Sequence, residues 1–213
     1  MADQNQIDAI FFDMDGTLWD GVECYAQGFN DYFKSRNIAK RFTRYDLYGF
    51  MGLEEEKYLQ QTIPEIPAGQ RKAVYREVIE YQYANIRKNG GVLYPYVKEG
   101  LKQLSEKYKL FIVSNCAEFT IKYFMEWAGI EPYITDSMAH AANFKPKNEN
   151  IRYLIDKYAI TNPIYVGDTH SDGEQARLAG IPFVFVSYGF GSTDKYDLKF
   201  DSFKELAVGI GDL

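Results

Sequence analysis

Cysteine and histidine are scarce in this sequence, and long apolar runs are missing. Its 213 residues include two cysteines and two histidines, which excludes a scaffold held by several disulfides. No apolar stretch approaches the roughly 20 residues of a membrane helix, and no basic segment precedes an apolar one near residue 1, so we expect no secretion signal. Acidic residues outnumber basic ones by 30 to 24, which gives no positive surface for nucleic acid. We therefore expect a cytoplasmic protein without membrane or nucleic-acid partners, and the sequence does not indicate its oligomeric state.

Hydrophobic residues make up 46% of the chain and charged residues 25%, a balance typical of globular proteins. At roughly 100–200 residues per domain, the length allows one domain, or one domain with an insertion. Four short apolar runs, each a candidate strand, alternate with segments whose apolar residues recur at helical spacing. This alternation predicts an α/β fold, with a Rossmann-like parallel sheet covered by helices on both faces. The candidate strands are residues 7–12, 110–113, 163–166 and 182–186.

Residues 19–92 interrupt the alternation, because they contain no convincing strand. Apolar residues recur at helical spacing near residues 22–33 and again near 74–81. A pair of glycines closes the segment just before the alternation resumes. We therefore predict an α-helical cap domain over residues 19–92, inserted after the first strand of an α/β core domain that comprises residues 1–18 and 93–213.

Two aspartates stand directly after the first candidate strand, in the order Asp13-Met14-Asp15-Gly16. Residues at i and i+2 of an extended chain project to the same side. At about 4 Å and an effective dielectric constant near 20, two such carboxylates repel each other by about 4 kcal/mol. A divalent cation with oxygen ligands relieves that repulsion, so Asp13 and Asp15 are candidate metal ligands. The alternative is an ordinary turn, in which an Asp-Gly pair favours a loop.

A second pair of aspartates, Asp168 and Asp172, follows the third candidate strand. Their spacing of four residues lets one helical turn direct both carboxylates to a common point, so both are candidate metal ligands. Asp172 has an alternative role as the N-cap of a helix near residues 174–179. Asp168 is harder to explain as a cap, because it lies at the end of the strand itself.

Polar residues also follow the second candidate strand. Ser114 offers a hydroxyl and Asn115 a backbone N–H, and both groups can bind an oxyanion. Lys145 precedes Pro146, which disfavours a helical conformation and places this lysine in a loop. In open parallel sheets, ligands bind in the crevice beyond the carboxyl ends of the strands. The gathering of four carboxylates, a hydroxyl and a lysine near that edge indicates a functional site there.

These four motifs, in this order, resemble those of the haloacid dehalogenase superfamily of aspartyl phosphotransferases. The insertion after the first motif is similar to that of members with a helical cap, such as the phosphoglycolate phosphatase and β-phosphoglucomutase group. The resemblance spans nearly the whole chain. It implies a Rossmann-like core with a helical cap, Mg²⁺ as the cofactor and a small phosphorylated metabolite as the substrate.

The resemblance also implies a role for each motif residue. Asp13 would be the nucleophile, and Asp15 would be the general acid and base. Ser114 would bind the transferring phosphoryl group, with the Asn115 N–H beside it. Lys145 would position the phosphoryl group and the nucleophile.

For the metal, the resemblance implies ligands from both pairs of aspartates. Asp168 would ligate Mg²⁺ together with Asp13 and the backbone carbonyl of Asp15. Asp172 would either be a further ligand of the metal or contact one of these ligands. The dehalogenating branch of the family displaces halide, which requires neither protonation nor magnesium. The presence of Asp15 therefore favours phosphoryl chemistry.

The leading hypothesis is a Mg²⁺-dependent phosphatase that acts through an aspartyl-phosphate intermediate. The alternative is a phosphomutase that uses the same intermediate on a sugar phosphate. A non-catalytic binding module is a third interpretation, although such a module has no need for four clustered carboxylates. Substrate selection is expected on the cap, where Arg41, Arg44 and Lys57 are candidates for binding a second anionic group, although exposed basic residues more often have no such role. His140 has no evident partner in the sequence and is interpreted as structural.

Overall fold

A parallel sheet forms the centre of the fold, and its strands alternate along the chain with helices. The computed structural model describes residues 6–211. The strands of this range are β1 (Ala9–Phe12), β2 (Trp19–Asp20), β3 (Val92–Leu93), β4 (Lys109–Ser114), β5 (Asp136–Ala139), β6 (Pro163–Gly167), β7 (Phe183–Val186) and β8 (Leu198–Phe200). Its helices are α1 (Val22–Ser35), α2 (Arg44–Tyr48), α3 (Glu55–Thr62), α4 (Ala68–Lys88), α5 (Val97–Ser105), α6 (Thr120–Ala128), α7 (His140–Asn143), α8 (Lys147–Tyr158), α9 (His170–Ala179), α10 (Phe203–Gly211) and a 3₁₀ turn at Glu131–Tyr133. Among residues 6–211, no helix is both long enough and apolar enough to cross a lipid bilayer.

Six of the strands in the described range form one sheet in the order β5-β4-β1-β6-β7-β8, and all neighbouring pairs are parallel. The first strand therefore lies at the centre, with β4 on one side and β6 on the other. Successive strands are added outward on one side of β1 and later on the opposite side. Such a reversal of strand order is where open α/β sheets bind their ligands. The predicted α/β fold is confirmed.

Side chains of β1 alternate between two hydrophobic layers. Ile10 and Phe12 pack on the face that α5, α6 and α10 cover, whereas Ala9 and Phe11 pack on the opposite face, against α8 and α9. All four are fully buried, which explains why the strand is a continuous apolar run. Phe11 also stacks on Phe111 of β4, with ring centroids 4.6 Å apart. This packing on both faces holds the end of β1 in a fixed position.

The four predicted strands are all present, as β1, β4, β6 and β7, and their ends lie within two residues of the predicted ends. The sequence pattern does not predict β5 and β8, which form the two edges of the sheet. Their sequences, DSMA and LKF, are short and partly polar, and most of their residues are only partly buried. An edge strand has less apolar surface to bury than a central one, so no apolar run marks it.

The segment between β2 and β3 contains α1 to α4 and is helical, as predicted. However, β2 and β3 pair with each other in antiparallel fashion, with Trp19 opposite Leu93, so the expectation of no strand in residues 19–92 is wrong at both ends of that segment. Inside the segment, α1 packs along α4. One hydrophobic cluster continues from the sheet through Trp19 to Phe29 of α1. The division into a cap domain and a core domain stays a prediction.

Candidate active site

The carboxyl ends of three neighbouring strands bring polar side chains together. Asp13 follows β1, Ser114 is the last residue of β4, and Asp168 follows β6. All three side chains are buried. The backbone N–H of Asp13 donates to the carbonyl of Val166 at 2.9 Å, which continues the pairing of β1 with β6. These contacts define a candidate active site at the centre of the sheet edge.

Three carboxylates meet in this site. Asp13, Asp168 and Asp172 each offer an oxygen atom, and these atoms lie within 4.8 Å of one another. Burial raises the pKa of Asp13 to about 6; Lys147 opposes this shift and Asp172 adds to it. For Asp168, burial and the charges of Asp172 and Asp13 raise the pKa well above its ordinary value. The cluster therefore holds more negative charge than one lysine neutralises.

Lys147 supplies the positive charge that contacts this cluster. Its Nζ lies 2.9 Å from Oδ1 of Asp13 and 2.7 Å from Oδ1 of Asp172, and the residue is only 4% exposed. Burial alone lowers the pKa of Lys147, but the two carboxylates outweigh burial and hold that pKa well above its usual range. The ring of Tyr165 lies beside the ammonium group, 5.5 Å from Nζ to the centroid, and adds a cation–π contact. Lys147 is therefore a charged lysine inside the site.

The structure corrects the prediction for Lys145. The side chain of Lys145 is 60% exposed, and its Nζ lies 3.9 Å from a carboxylate oxygen of Glu149 at the surface. Its backbone carbonyl accepts a hydrogen bond from Nδ1 of His140 at 2.9 Å. The sequence correctly places Lys145 in the loop before α8, but a loop position does not determine which lysine faces the carboxylates. Lys147, the first residue of α8, is the lysine that does.

Asp172 is not the N-cap of α9, the alternative role that its position in the sequence allows. Thr169 is the N-cap of α9, and Asp172 stands at the third helical position. Oδ2 of Asp172 accepts hydrogen bonds from the Thr169 backbone N–H at 3.0 Å and from its hydroxyl at 2.6 Å, which completes a capping box. Oδ1 of Asp172 accepts from Lys147. Because Lys147 contacts both Asp172 and Asp13, Asp172 can position Lys147 beside Asp13.

A loop after β7 holds Asp168 in place. The backbone N–H of Phe190 donates to Oδ2 of Asp168 at 2.7 Å. Gly16 and Gly189 approach so closely that an added Cβ would lie 2.2 Å and 2.3 Å, respectively, from an atom of Asp168. Gly16 also has φ +85, a conformation that favours glycine. Sequence reasoning did not connect this loop with Asp168, and the only sequence feature that marks it is its pair of glycines.

Asp15 is bound by a residue of the helical segment. The hydroxyl of Tyr25, in α1, lies 3.0 Å and 3.2 Å from the two carboxylate oxygens of Asp15. Burial and the charge of Asp13 raise the pKa of Asp15 to about 8, and the Tyr25 hydrogen bond opposes that shift. A carboxyl group that titrates near neutral pH is suited both to give and to accept a proton. Sequence reasoning missed this contact, because Tyr25 belongs to the apolar face of α1 and is indistinguishable there from a core residue.

A cavity separates the site from the helical segment. Its floor includes Asp13, Asp15, Ser114 and Asn115, and the remaining walls come largely from residues 25–82. The side-chain amide of Asn115 donates to the carbonyl of Gly52 at 3.2 Å, a contact between the two sides of the cavity. The carboxylates, the hydroxyl and the cavity thus share one space.

The donor set fits a hard divalent cation. Asp13 and Asp168 are buried carboxylates whose pKa values are raised chiefly by burial and further by neighbouring carboxylates. Oxygen ligands of this type are those that Mg²⁺ prefers. The cluster contains no cysteine or histidine ligand, which disfavours a softer metal.

Fold and site together define an α/β protein with an acidic centre at the switch point of a parallel sheet. The family model for haloacid dehalogenase-like hydrolases matches residues 10–186, and the chain belongs to this family. The phosphoglycolate phosphatase of Vibrio vulnificus is 27% identical over 200 residues, which cover 88% of this chain and 86% of that protein. Against the phosphoglycolate phosphatase of Salmonella paratyphi A, the match is 25% identical and spans 62% of that protein's length.

Solved structures share the same architecture. A predicted phosphoglycolate phosphatase from Haemophilus somnus aligns with a TM-score of 0.82 and 23% identity, over 99% of this chain and 100% of that chain. CbbY from Rhodobacter sphaeroides, solved in complex with xylulose-(1,5)bisphosphate, aligns with a TM-score of 0.77 and 15% identity, over 94% of this chain and 96% of that one. At these identities the likeness establishes the fold alone.

Proposed function

We propose that this protein is a Mg²⁺-dependent phosphatase that hydrolyses a small phosphorylated metabolite through an aspartyl-phosphate intermediate. The observation that carries the proposal is the buried cluster of Asp13, Asp168 and Asp172, in which Lys147 contacts Asp13 and Asp172 and Asp13 also lines the floor of the cavity. Membership of the haloacid dehalogenase-like hydrolases supports the reaction class. The phosphoglycolate phosphatases among the relatives support a phosphomonoester as the substrate.

Asp13 and Asp168 would hold the metal, and the resemblance described above adds the backbone carbonyl of Asp15. When bound, Mg²⁺ offsets the repulsion between an anionic nucleophile and an anionic phosphate and orients them for in-line attack. Asp172 has donors on both of its oxygens. We assign to Asp172 the positioning of Lys147, whose ammonium group lies 2.7 Å from its Oδ1.

Asp13 is the nucleophile of the proposed reaction. One of its carboxylate oxygens attacks phosphorus, the bond to the leaving alkoxide breaks, and an acyl phosphate forms on Asp13. Lys147, which is hydrogen-bonded to Asp13, and the hydroxyl of Ser114 neutralise charge on the phosphoryl oxygens as the transition state forms. This assistance is needed because phosphate monoesters hydrolyse extremely slowly without a catalyst.

Asp15 carries the proton in both steps. In its protonated form it donates to the departing alkoxide, and its carboxylate then accepts a proton from the water that cleaves the acyl phosphate. A pKa of about 8 keeps the protonated form available at neutral pH. The hydroxyl of Tyr25 contacts both oxygens of Asp15 and so fixes the direction in which the carboxyl group faces.

The test is phosphate release from p-nitrophenyl phosphate, with and without Mg²⁺. We expect Mg²⁺-dependent turnover by the wild type and none by Asp13→Asn, which lacks the nucleophilic oxygen. Asp156→Asn is a matched control, because Asp156 is exposed on α8, and we expect it to retain turnover. Full activity in Asp13→Asn would refute the proposal. Product analysis with a hexose 1-phosphate separates a phosphatase, which yields free phosphate, from a phosphomutase, which yields an isomerised sugar phosphate.

A further inference from the structure

We infer that the cavity accepts phosphate monoesters of uncharged, hydroxylated compounds and discriminates against substrates with a second anionic group, such as a carboxylate. The inference rests on the proposed function, because it places the phosphoryl group on the Asp13 floor of the cavity. It concerns the other end of the substrate, which must face the walls that residues 25–82 provide. The names of the phosphoglycolate phosphatase relatives refer to a substrate with a carboxylate, so the inference sets this chain apart from them.

The walls of the cavity lack a positive charge. None of the described residues that line it is a lysine or an arginine. The acidic Glu55 is among the lining residues, and its carboxylate lies 3.7 Å from Nζ of Lys72, a side chain that is 60% exposed. The positive charge of Lys72 is therefore offset by Glu55 at the point where it approaches the cavity. A carboxylate or second phosphate on the substrate would lose water without gaining an ion pair, which is unfavourable.

The basic residues that the sequence offers for a second anion are engaged elsewhere. Arg44 forms an ion pair with Asp20, with 2.7 Å between the charged groups. The guanidinium of Arg41 donates to two backbone carbonyls of its own loop. Lys57 is exposed and does not line the cavity. None of these three side chains is directed into the substrate space, so the earlier expectation of an anion-binding cap residue lacks support in the described structure.

Burial along the walls of the cavity disfavours charged groups. Burial raises the pKa of Tyr58 above its ordinary value, and the charge of Asp15 raises it further. Burial, and to a smaller extent the charge of Asp15, also raises the pKa of the Cys116 thiol. Both residues line the cavity. Burial that disfavours a phenolate and a thiolate also disfavours a carboxylate of the substrate, because no lysine or arginine is among the described lining residues.

The lining offers other contacts in place of charge. Aromatic rings, including those of Tyr58 and Tyr75, present apolar faces, while Gln82 and Thr120 are uncharged polar residues. Such a combination suits a compound with C–H groups and hydroxyls. His140 also lines the cavity, and its Nδ1 donates to the carbonyl of Lys145. This contact leaves Nε2 of His140 as the ring nitrogen that can contact a hydroxyl of the substrate.

The test compares two esters that differ in a single group, glycerol 3-phosphate and 3-phosphoglycerate, which carry a hydroxymethyl group and a carboxylate at the same position. Their affinities are measured by calorimetry on full-length Asp13→Asn with Mg²⁺, so that binding is read without turnover. We expect glycerol 3-phosphate to bind at least tenfold more tightly. Equal affinities, tighter binding of 3-phosphoglycerate, or no measurable binding of either ester would overturn the inference. The ratio of kcat/KM values of the wild type gives a second measurement of the same preference.

Charge variants locate the origin of the preference. Met51 lines the cavity, so Met51→Lys should reduce the preference for glycerol 3-phosphate at least fivefold, whereas the uncharged Met51→Gln should retain it. Arg41→Ala and Lys57→Ala should also retain it. A loss of the preference in either of these last two variants would contradict the inference. The proposed function fails in a different way: it would be refuted if the wild type released no phosphate from any ester while the binding preference persisted.

Discussion

Replacement of Lys147 by methionine tests the site most directly, because the chain contains a matched lysine two residues away. Lys147 is 4% exposed and lies within 2.9 Å of carboxylate oxygens of Asp13 and Asp172. Lys145 is in the same loop region, but its side chain is 60% exposed and lies 3.9 Å from Glu149. Methionine keeps most of the length and apolar stem of lysine and removes only the charge. Lys147→Met and Lys145→Met therefore differ in burial and partners, and not in chemistry.

Loss of one partner from a buried ion pair costs about 3–5 kcal/mol, because the remaining charge is left without compensation. For a chain of 213 residues, each kcal/mol lowers the melting temperature by about 2–4 °C. We therefore expect Lys147→Met to melt about 6–20 °C below the wild type in the absence of metal. Addition of Mg²⁺ should restore part of this loss, since the cation supplies the missing positive charge. For Lys145→Met we expect no measurable change, because exposed ion pairs contribute little.

Differential scanning calorimetry in EDTA measures the stability change, and phosphate release measures turnover. Lys147→Met should also lose at least two orders of magnitude in kcat, since the developing charge on the phosphoryl group is no longer neutralised. Lys145→Met should retain full turnover. If Lys145→Met were the inactive variant and Lys147→Met the active one, our assignment of the site lysine would be wrong.

Three further expectations concern Asp15 and Asp168. Tyr25→Phe removes the hydroxyl that contacts both oxygens of Asp15. We expect kcat to fall about tenfold, which is the effect of losing one charge-assisted hydrogen bond. An unchanged kcat would argue against a positioning role for Tyr25. The folded state raises the pKa of Asp15 to about 8. Its contribution to stability is therefore complete below pH 4 and is lost as the pH rises through 8. The metal-free protein should melt at a lower temperature at pH 8 than at pH 5, and the opposite trend would refute this assignment. Gly189→Ala brings a Cβ within 2.3 Å of Asp168 and should weaken Mg²⁺ binding, measured by titration calorimetry. Gly69→Ala is the control, because its added Cβ has no other atom within 4 Å, and it should leave Mg²⁺ binding unchanged.

The sequence predicts the parts of the molecule that depend on local pattern. β1 and β6 are buried on both faces, so they form continuous apolar runs whose ends can be located in the sequence. Asp13 and Asp168 follow those ends directly. The parallel arrangement then requires the two carboxylates to lie at one edge of the sheet, and the structure places them there.

The parts that sequence reasoning missed depend on side-chain direction and on contacts between distant segments. Lys145 and Lys147 flank one proline, and only the packing of α8 decides which of them reaches Asp13. One indication for Lys147 existed, because a lysine in the first turn of a helix is unfavourable unless a negative group compensates it. The Phe190 N–H that holds Asp168 and the Tyr25 hydroxyl that holds Asp15 are backbone and core groups, respectively. Neither residue type marks such a contact in a sequence.

The pairing of β2 with β3 has a consequence for protein engineering. Asp20 lies opposite Val92, so the two points where the polypeptide leaves and re-enters the sheet-bearing part are neighbours. A two-residue hairpin turn could join them directly, and residues 21–91 could be excised or exchanged for the corresponding stretch of another protein without breaking the continuity of the sheet. Such a chimera would keep Asp13, Lys147 and Asp168 and would lose the Tyr25 hydroxyl. Its activity would show which properties depend on the residues at the sheet edge and which substrate preferences come with the exchanged segment.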